Sequence, residues 1–204
     1  MLQVAILGSG RGSNFQAILN ALQRGELPNV RIRLVLSNNS GAGILDLARA
    51  NHIPAVHLSQ LMFPERDTFV EAMLNTFREH DVNFIALAGY MKQLDSRIVS
   101  TFRNRIINIH PALLPKYGGK GMYGMHVHKA VVANRERSSG ATVHIVDEEF
   151  DHGAIVLQKE VAIEQGDTPE IVAAKVLRIE HEIYPQALRM FAEGTRNQHD
   201  TAAH

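Results

Sequence analysis

The sequence predicts an α/β fold: one mostly parallel sheet with helices on both faces and a late antiparallel strand pair. Short, almost uninterrupted apolar runs alternate with amphipathic stretches through the first half. Continuous rather than alternating apolar strands mean burial on both faces, as in parallel sheets covered by helices. After residue 140 the pattern changes to two alternating segments around an acidic, glycine-containing turn, the signature of an antiparallel pair.

Each element has its own reason. "LQVAIL" (2–7) reads as a buried strand, and Asn14 to Gln23 as a helix with Phe15, Ile18, Leu19 and Leu22 on one face. "VRIRLVL" is a second strand, "GILDLARANH" a second helix and "IPAVHL" a short strand. Asp67 to His80 is helical, with Phe69, Ala72, Met73 and Phe77 on one side. "VNFIALAG" is a strand, Ser96 to Phe102 a short helix, and "RIINIH" closes the parallel series. "ATVHIV" and "AIVLQKEVAI" are the late strands. A last helix starts with Thr168 as N-cap and Pro169 at its first position, and buries Val172, Val176, Ile179 and Ile183. Pro185 is expected to kink or end it. The whole is Rossmann-like, a single domain over 1–192 with a polar tail over 193–204 in which His199 and His204 are solvated.

Composition narrows the function. Lys plus Arg and Asp plus Glu each number 21 in 204 residues, so no field draws the chain to nucleic acid or an anionic membrane. Cysteine is absent, which removes disulfides, thiolate nucleophiles and cysteine metal sites. The N-terminus has no basic region and too short an apolar run for a signal peptide, so a cytoplasmic location is expected.

Open parallel sheets bind ligands beyond the carboxyl ends of their strands. Three segments fall there: Gly8–Asn14, Gly89–Leu94 and Asn108–Pro115. "GSGRGSN" opens the first helix, where backbone N–H groups favour an anion such as phosphate. It is neither a dinucleotide fingerprint nor a P-loop, and a plain turn capped by Ser13 or Asn14 is the competing reading. Asn108 and His110 alternate at a strand end, so an amide donor and a group that titrates near neutrality share one face. A capped strand end would show the same pattern. Asp147, Glu148, Glu149 and Asp151 form an acidic turn, where a carboxylate near His110 is expected to raise its pKa. Glu180 borders the apolar stripe of the last helix, as either a ligand contact or half of a salt bridge. His126, His128 and His144 read as core or supporting histidines, and no metal is expected.

"GSGRGSN", "SNNSGAGIL", "LAGYMKQL", "NIHPALLP", "VDEEFDHG" and "EHEIYP" occur in this order. With these motifs the chain resembles the folate-dependent phosphoribosylglycinamide formyltransferases over about Leu2 to Ala192. The resemblance implies formyl transfer from 10-formyltetrahydrofolate to phosphoribosylglycinamide in purine synthesis, by a monomer or homodimer. It implies Asn108, protonated His110 and Asp151 as the catalytic set. It assigns Gly12, Ser13 and Asn14, with Leu177, Arg178, Ile179 and Glu180, to phosphoribosylglycinamide. Met91, Lys92, Gln93, Leu94, Asn108, Asp147, Glu148, Glu149, Phe150 and Asp151, with Arg66 nearby, are implied to hold the folate. The chain departs from the pattern in "YGGKGMYGMHVH", a longer loop, and in its short polar C-terminus. Two alternatives stay open. A 10-formyltetrahydrofolate hydrolase is expected to carry an extra N-terminal domain, whereas here the first strand begins at Leu2. A non-catalytic folate- or phosphometabolite-binding module would not need Asn108, His110 and Asp151 together. A formyltransferase acting on initiator tRNA would need a basic surface that the balanced charge does not supply.

Overall fold

The structure, a computed structural model, describes the backbone of residues 1–200 and the side chains of residues 1–194. Seven strands, β1 (Leu2–Leu7), β2 (Val30–Ser37), β3 (Ala55–His57), β4 (Phe84–Leu87), β5 (Ile106–His110), β6 (Ser138–Ile145) and β7 (Ile155–Ala162), form one sheet in the order β3-β2-β1-β4-β5-β6-β7. The first five are parallel, β6 is antiparallel to β5, and β7 is antiparallel to β6. The helices are α1 (Ser13–Gln23), α2 (Gly43–Ala50), α3 (Arg66–Glu79), α4 (Ser96–Thr101), α5 (Met125–Ala133) and α6 (Pro169–Asp200).

Period-two geometry divides the apolar strands between two cores. Val4, Ile6, Phe84 and Ala86 face α1, α2, α5 and α6, while Ala5, Leu7, Ile85 and Leu87 face α3 and α4. The chain leaves β1 for β2 and β3, then returns to place β4 on the other flank of β1. That reversal opens a crevice between the carboxyl ends of β1 and β4. Tyr184 of α6 is fully buried, and its hydroxyl donates to the Leu87 carbonyl at 2.8 Å, which ties α6 to the sheet beside that crevice.

Two expectations change. Pro185 does not end α6, which runs on to Asp200. An interior proline costs about 3 kcal/mol, but burial of Tyr184, Ala187, Leu188 and Ala192 on both sides of it favours continuing the helix. Of the expected tail, residues 193–200 continue the backbone of α6. The side chain of His199, and His204 entirely, lie outside the described residues. The long segment after Pro115 also holds a helix that the sequence reading did not assign, α5. Its alternating Met-His-Val-His start reads as period two, whereas the buried set Val127, His128 and Val131 has helical spacing. Thr168 does cap α6, accepting the Ile171 N–H at 3.4 Å. No helix among the described residues is long and apolar enough to cross a membrane.

A buried hydroxyl helps fix the segment after β5. Thr142 Oγ1 donates to the Ala112 carbonyl (2.6 Å) and accepts from the Leu114 N–H (3.1 Å) and from Gln158 Nε2 (2.8 Å). These bonds use its one donor and both acceptor positions. The chain leaving His110 is thus anchored to β6 and β7 as well as stiffened by its prolines.

Candidate active site

Six segments close around a cavity of about 280 Å³ at the carboxyl edge of the sheet. Asn14 and Glu180 line it, as do Met91, Lys92, Gln93, Leu94, Asp147, Glu149 and Phe150. Asn108, His110, His144 and Asp151 also line it.

Asn108 and His110 occupy alternate positions at the end of β5, facing His144 and Thr142 across the antiparallel pair. Asn108 Nδ2 lies 3.1 Å from His144 Nε2. Asp151, in a left-handed conformation (φ 54°) on the turn between β6 and β7, closes the group. Its Oδ2 accepts the Gly119 N–H at 2.9 Å and lies 3.4 Å from His110 Nδ1, and its Oδ1 lies 3.5 Å from His144 Nε2. His110 Nε2 is 2.8 Å from the Tyr117 carbonyl, and His144 Nδ1 is 2.9 Å from the Ile145 carbonyl. A carbonyl only accepts, so His110 Nε2 and His144 Nδ1 each carry a proton.

Burial sets the electrostatics. It pushes the Asp151 carboxyl up, but the hydrogen bond from His144, the charge of His110 and the Gly119 N–H outweigh it, and the net shift is downward. For His110 burial wins: it pushes the imidazole down by more than Asp151 and the Tyr117 carbonyl restore, and nearby His144 lowers it further. Asp151 does raise His110, as expected of a neighbouring carboxylate, but the net shift is downward because the ring is 3% exposed and loses more hydration than one carboxylate at 3.4 Å returns. Ligand-free His110 is neutral near pH 7, with its lone pair at Nδ1, toward Asp151.

The second cluster joins α1 to α6. Gly12 is the N-cap of α1 with φ 86°, and no side chain caps the helix, so neither Ser13 nor Asn14 fills that role. Asn14 instead donates from Nδ2 to Glu180 Oε2 at 2.6 Å, with both residues buried. Its Oδ1 is buried without a partner. Burial pushes the Glu180 carboxyl up, and the Asn14 bond offsets part of this. The α1 N-terminus therefore keeps uncapped N–H groups beside the cavity, the arrangement that suits an anion.

Residues 2–188 match the formyl transferase family. The chain belongs to that family. It is 34% identical over 202 residues to the phosphoribosylglycinamide formyltransferase of Escherichia coli (strain K12), covering 99% of this chain and 92% of that one. It is 39% identical to the chloroplastic phosphoribosylglycinamide formyltransferase of Vigna unguiculata over 94% of this chain, and spans 61% of that protein's length. The solved structure of glycinamide ribonucleotide transformylase 1 from Symbiobacterium toebii matches with a TM-score of 0.88 at 36% identity, covering 95% of this chain and 89% of that one.

In this member of the formyl transferase family, some residues singled out by sequence lie off the cavity wall. Gly12 and Ser13 sit beside it, at the start of α1. On α6, Ile179 packs into the core, Leu177 is half-buried and Arg178 is exposed; only Glu180 reaches the wall. Glu148 contributes backbone, its carbonyl accepting from Gln93 Nε2 at 3.2 Å. Arg66 is turned away, its Nε donating to Asp95 Oδ2 at 2.8 Å, where Arg97 also binds. The sequence reading gave no role to the Tyr117 carbonyl or the Gly119 N–H, and read His144 and His128 only as core or supporting residues. Backbone groups have no residue signature, and the place of His144 follows from a β5–β6 register that only the folded sheet defines.

The histidines predict a pH response. Burial lowers His110, His128 and His181, so between their folded pKa values and the unfolded value of about 6.5 the unfolded chain binds more protons. This stability is complete above about pH 6.5 and is lost as pH falls below it. Exposed His152, raised by Asp147, acts in the opposite sense but in water. The urea midpoint is expected to drop from pH 7.5 to pH 5.5, and His128→Gln to reduce the slope. Equal midpoints at the two pH values would refute this.

Proposed function

We propose that the chain transfers the formyl group of 10-formyltetrahydrofolate to the terminal amine of 5-phosphoribosylglycinamide, a step of purine synthesis. The observation that carries this reading is the convergence of Asn108, His110 and Asp151 on one cavity that Asn14 and Glu180 also line. The wall fits a flat, partly apolar ring: Met91, Leu94, Val146 and Phe150 supply apolar surface, and Gln93 and Asp147 supply polar edges. The uncapped start of α1 at Gly12–Asn14 suits the phosphate.

Amine attack on a formyl carbon converts its carbonyl to an oxyanion; the amine must lose a proton and the departing folate nitrogen must gain one. Holding both reactants in one site supplies up to about 7–11 kcal/mol of the barrier. The Asn108 amide donates to the oxyanion, a role whose loss typically costs about 10²–10³ in rate. Neutral His110 accepts at Nδ1 the proton that the amine loses, Asp151 at 3.4 Å stabilises the imidazolium that results, and the imidazolium passes that proton to the departing folate nitrogen. Donation from His110 to the oxyanion requires one ring nitrogen to leave Asp151 or the Tyr117 carbonyl, because both are engaged.

Folate release measured with and without phosphoribosylglycinamide tests the reading. Release that depends on the amine is expected. Amine-independent release would make the chain a hydrolase, and binding without release would make it a carrier.

A further inference from the structure

We propose that the backbone of Tyr117–Gly119 is a two-sided clamp that sets His110 and Asp151 against each other, and that Tyr117 and Glu136 are positioning residues that hold the clamp from outside the cavity. Its kinetic readout rests on the formyl-transfer reading above. On one side, the Tyr117 carbonyl accepts from His110 Nε2 at 2.8 Å. On the other, the Gly119 N–H donates to Asp151 Oδ2 at 2.9 Å. Gly118 between them lies bare against the acid: a Cβ there would stand 2.6 Å from Leu114 Cδ2 and 3.2 Å from Asp151 Cβ.

The carbonyl points at His110 because Tyr117 takes the left-handed conformation, φ 58°, which a bulky residue rarely adopts. Its side chain secures that conformation. The ring packs on the larger core, and the hydroxyl donates to Glu136 Oε1 at 3.0 Å, in the turn between α5 and β6. Lys116 pairs with the same carboxylate at 3.1 Å. Neither Tyr117 nor Glu136 lines the cavity. Besides this carbonyl, His110 is faced by Asp151 from the β6–β7 turn, His144 from β6 and His128 from α5. Among these groups the carbonyl is the one that fixes the proton at Nε2, which leaves Nδ1 as the atom that exchanges a proton beside Asp151.

The test uses the full chain. Tyr117→Phe is expected to lower kcat about tenfold, leave KM for both substrates within about twofold, and shift the acidic limb of the kcat/KM profile. Nitrogen-15 histidine NMR of the ligand-free protein is expected to show His110 losing its preference for the Nε2–H tautomer. Glu136→Ala should reproduce these changes, including where Tyr117→Phe does not fold, and Glu136→Gln, which keeps an oxygen for the hydroxyl, should reverse most of them. Lys116→Gln should match the unaltered chain. A pH profile and His110 spectrum unchanged in Tyr117→Phe or Glu136→Ala would overturn the clamp, as would equal losses in Lys116→Gln. A shifted His110 spectrum in a chain whose unaltered form transfers no formyl group would sink the functional reading and leave the clamp standing.

Discussion

Asp151→Asn is expected to lower kcat by about 10²–10⁴, the usual worth of a positioned acid or base. Asparagine keeps the shape and an oxygen to accept the Gly119 N–H, but it removes the charge 3.4 Å from His110 Nδ1. Without that charge only the Tyr117 carbonyl offsets the burial that already lowers His110, and an imidazolium formed during the reaction has no anionic partner at Nδ1. If the charge acts mainly on His110, the rate falls more than folate affinity does. Single-turnover rates at saturating substrate, with folate binding measured separately by calorimetry, give the comparison. A rate within about threefold of the unaltered chain would remove Asp151 from the chemistry.

Gly153→Ala should be nearly as damaging without touching any reacting group. A Cβ at this position would lie 1.9 Å from the Ile145 carbonyl oxygen and 2.9 Å from its carbon. Both belong to backbone, so no side chain can swing aside. The turn must move instead, and it carries Asp151 two residues earlier. A displacement of about 1 Å at a catalytic group can cost about 10²-fold, and overpacking of this kind typically destabilises by about 1–3 kcal/mol. The expected signature is a kcat loss larger than the fall in urea midpoint would explain, with Asp151 displaced in a crystal structure of the variant. A rate close to that of the unaltered chain would show that the turn accommodates the methyl group in place.

The parts of this molecule that the sequence made legible are those encoded by neighbours along the chain. Val4 to Leu7 and Phe84 to Leu87 read as strands because both of their faces are buried. Asn108 and His110 read as a pair because a two-residue period carries them to one side. Other features depended on partners far away in sequence. Arg66 goes to Asp95, and Asn14 to Glu180, 166 positions on. The direction of the His110 shift depends on how completely the ring is enclosed, a quantity that spacing does not contain. Helix α5 was hidden by its own composition, since alternation at Met125–His128 mimics a strand.

The side-chain Oδ1 of Asn14 is shut away from water with no donor. A group in that state typically costs the folded chain about 1–3 kcal/mol, a debt that a ligand N–H or O–H reaching it would cancel. Analogues shaped like the natural ligand but lacking that hydrogen would leave the debt standing and be discriminated against for want of a proton rather than for want of room.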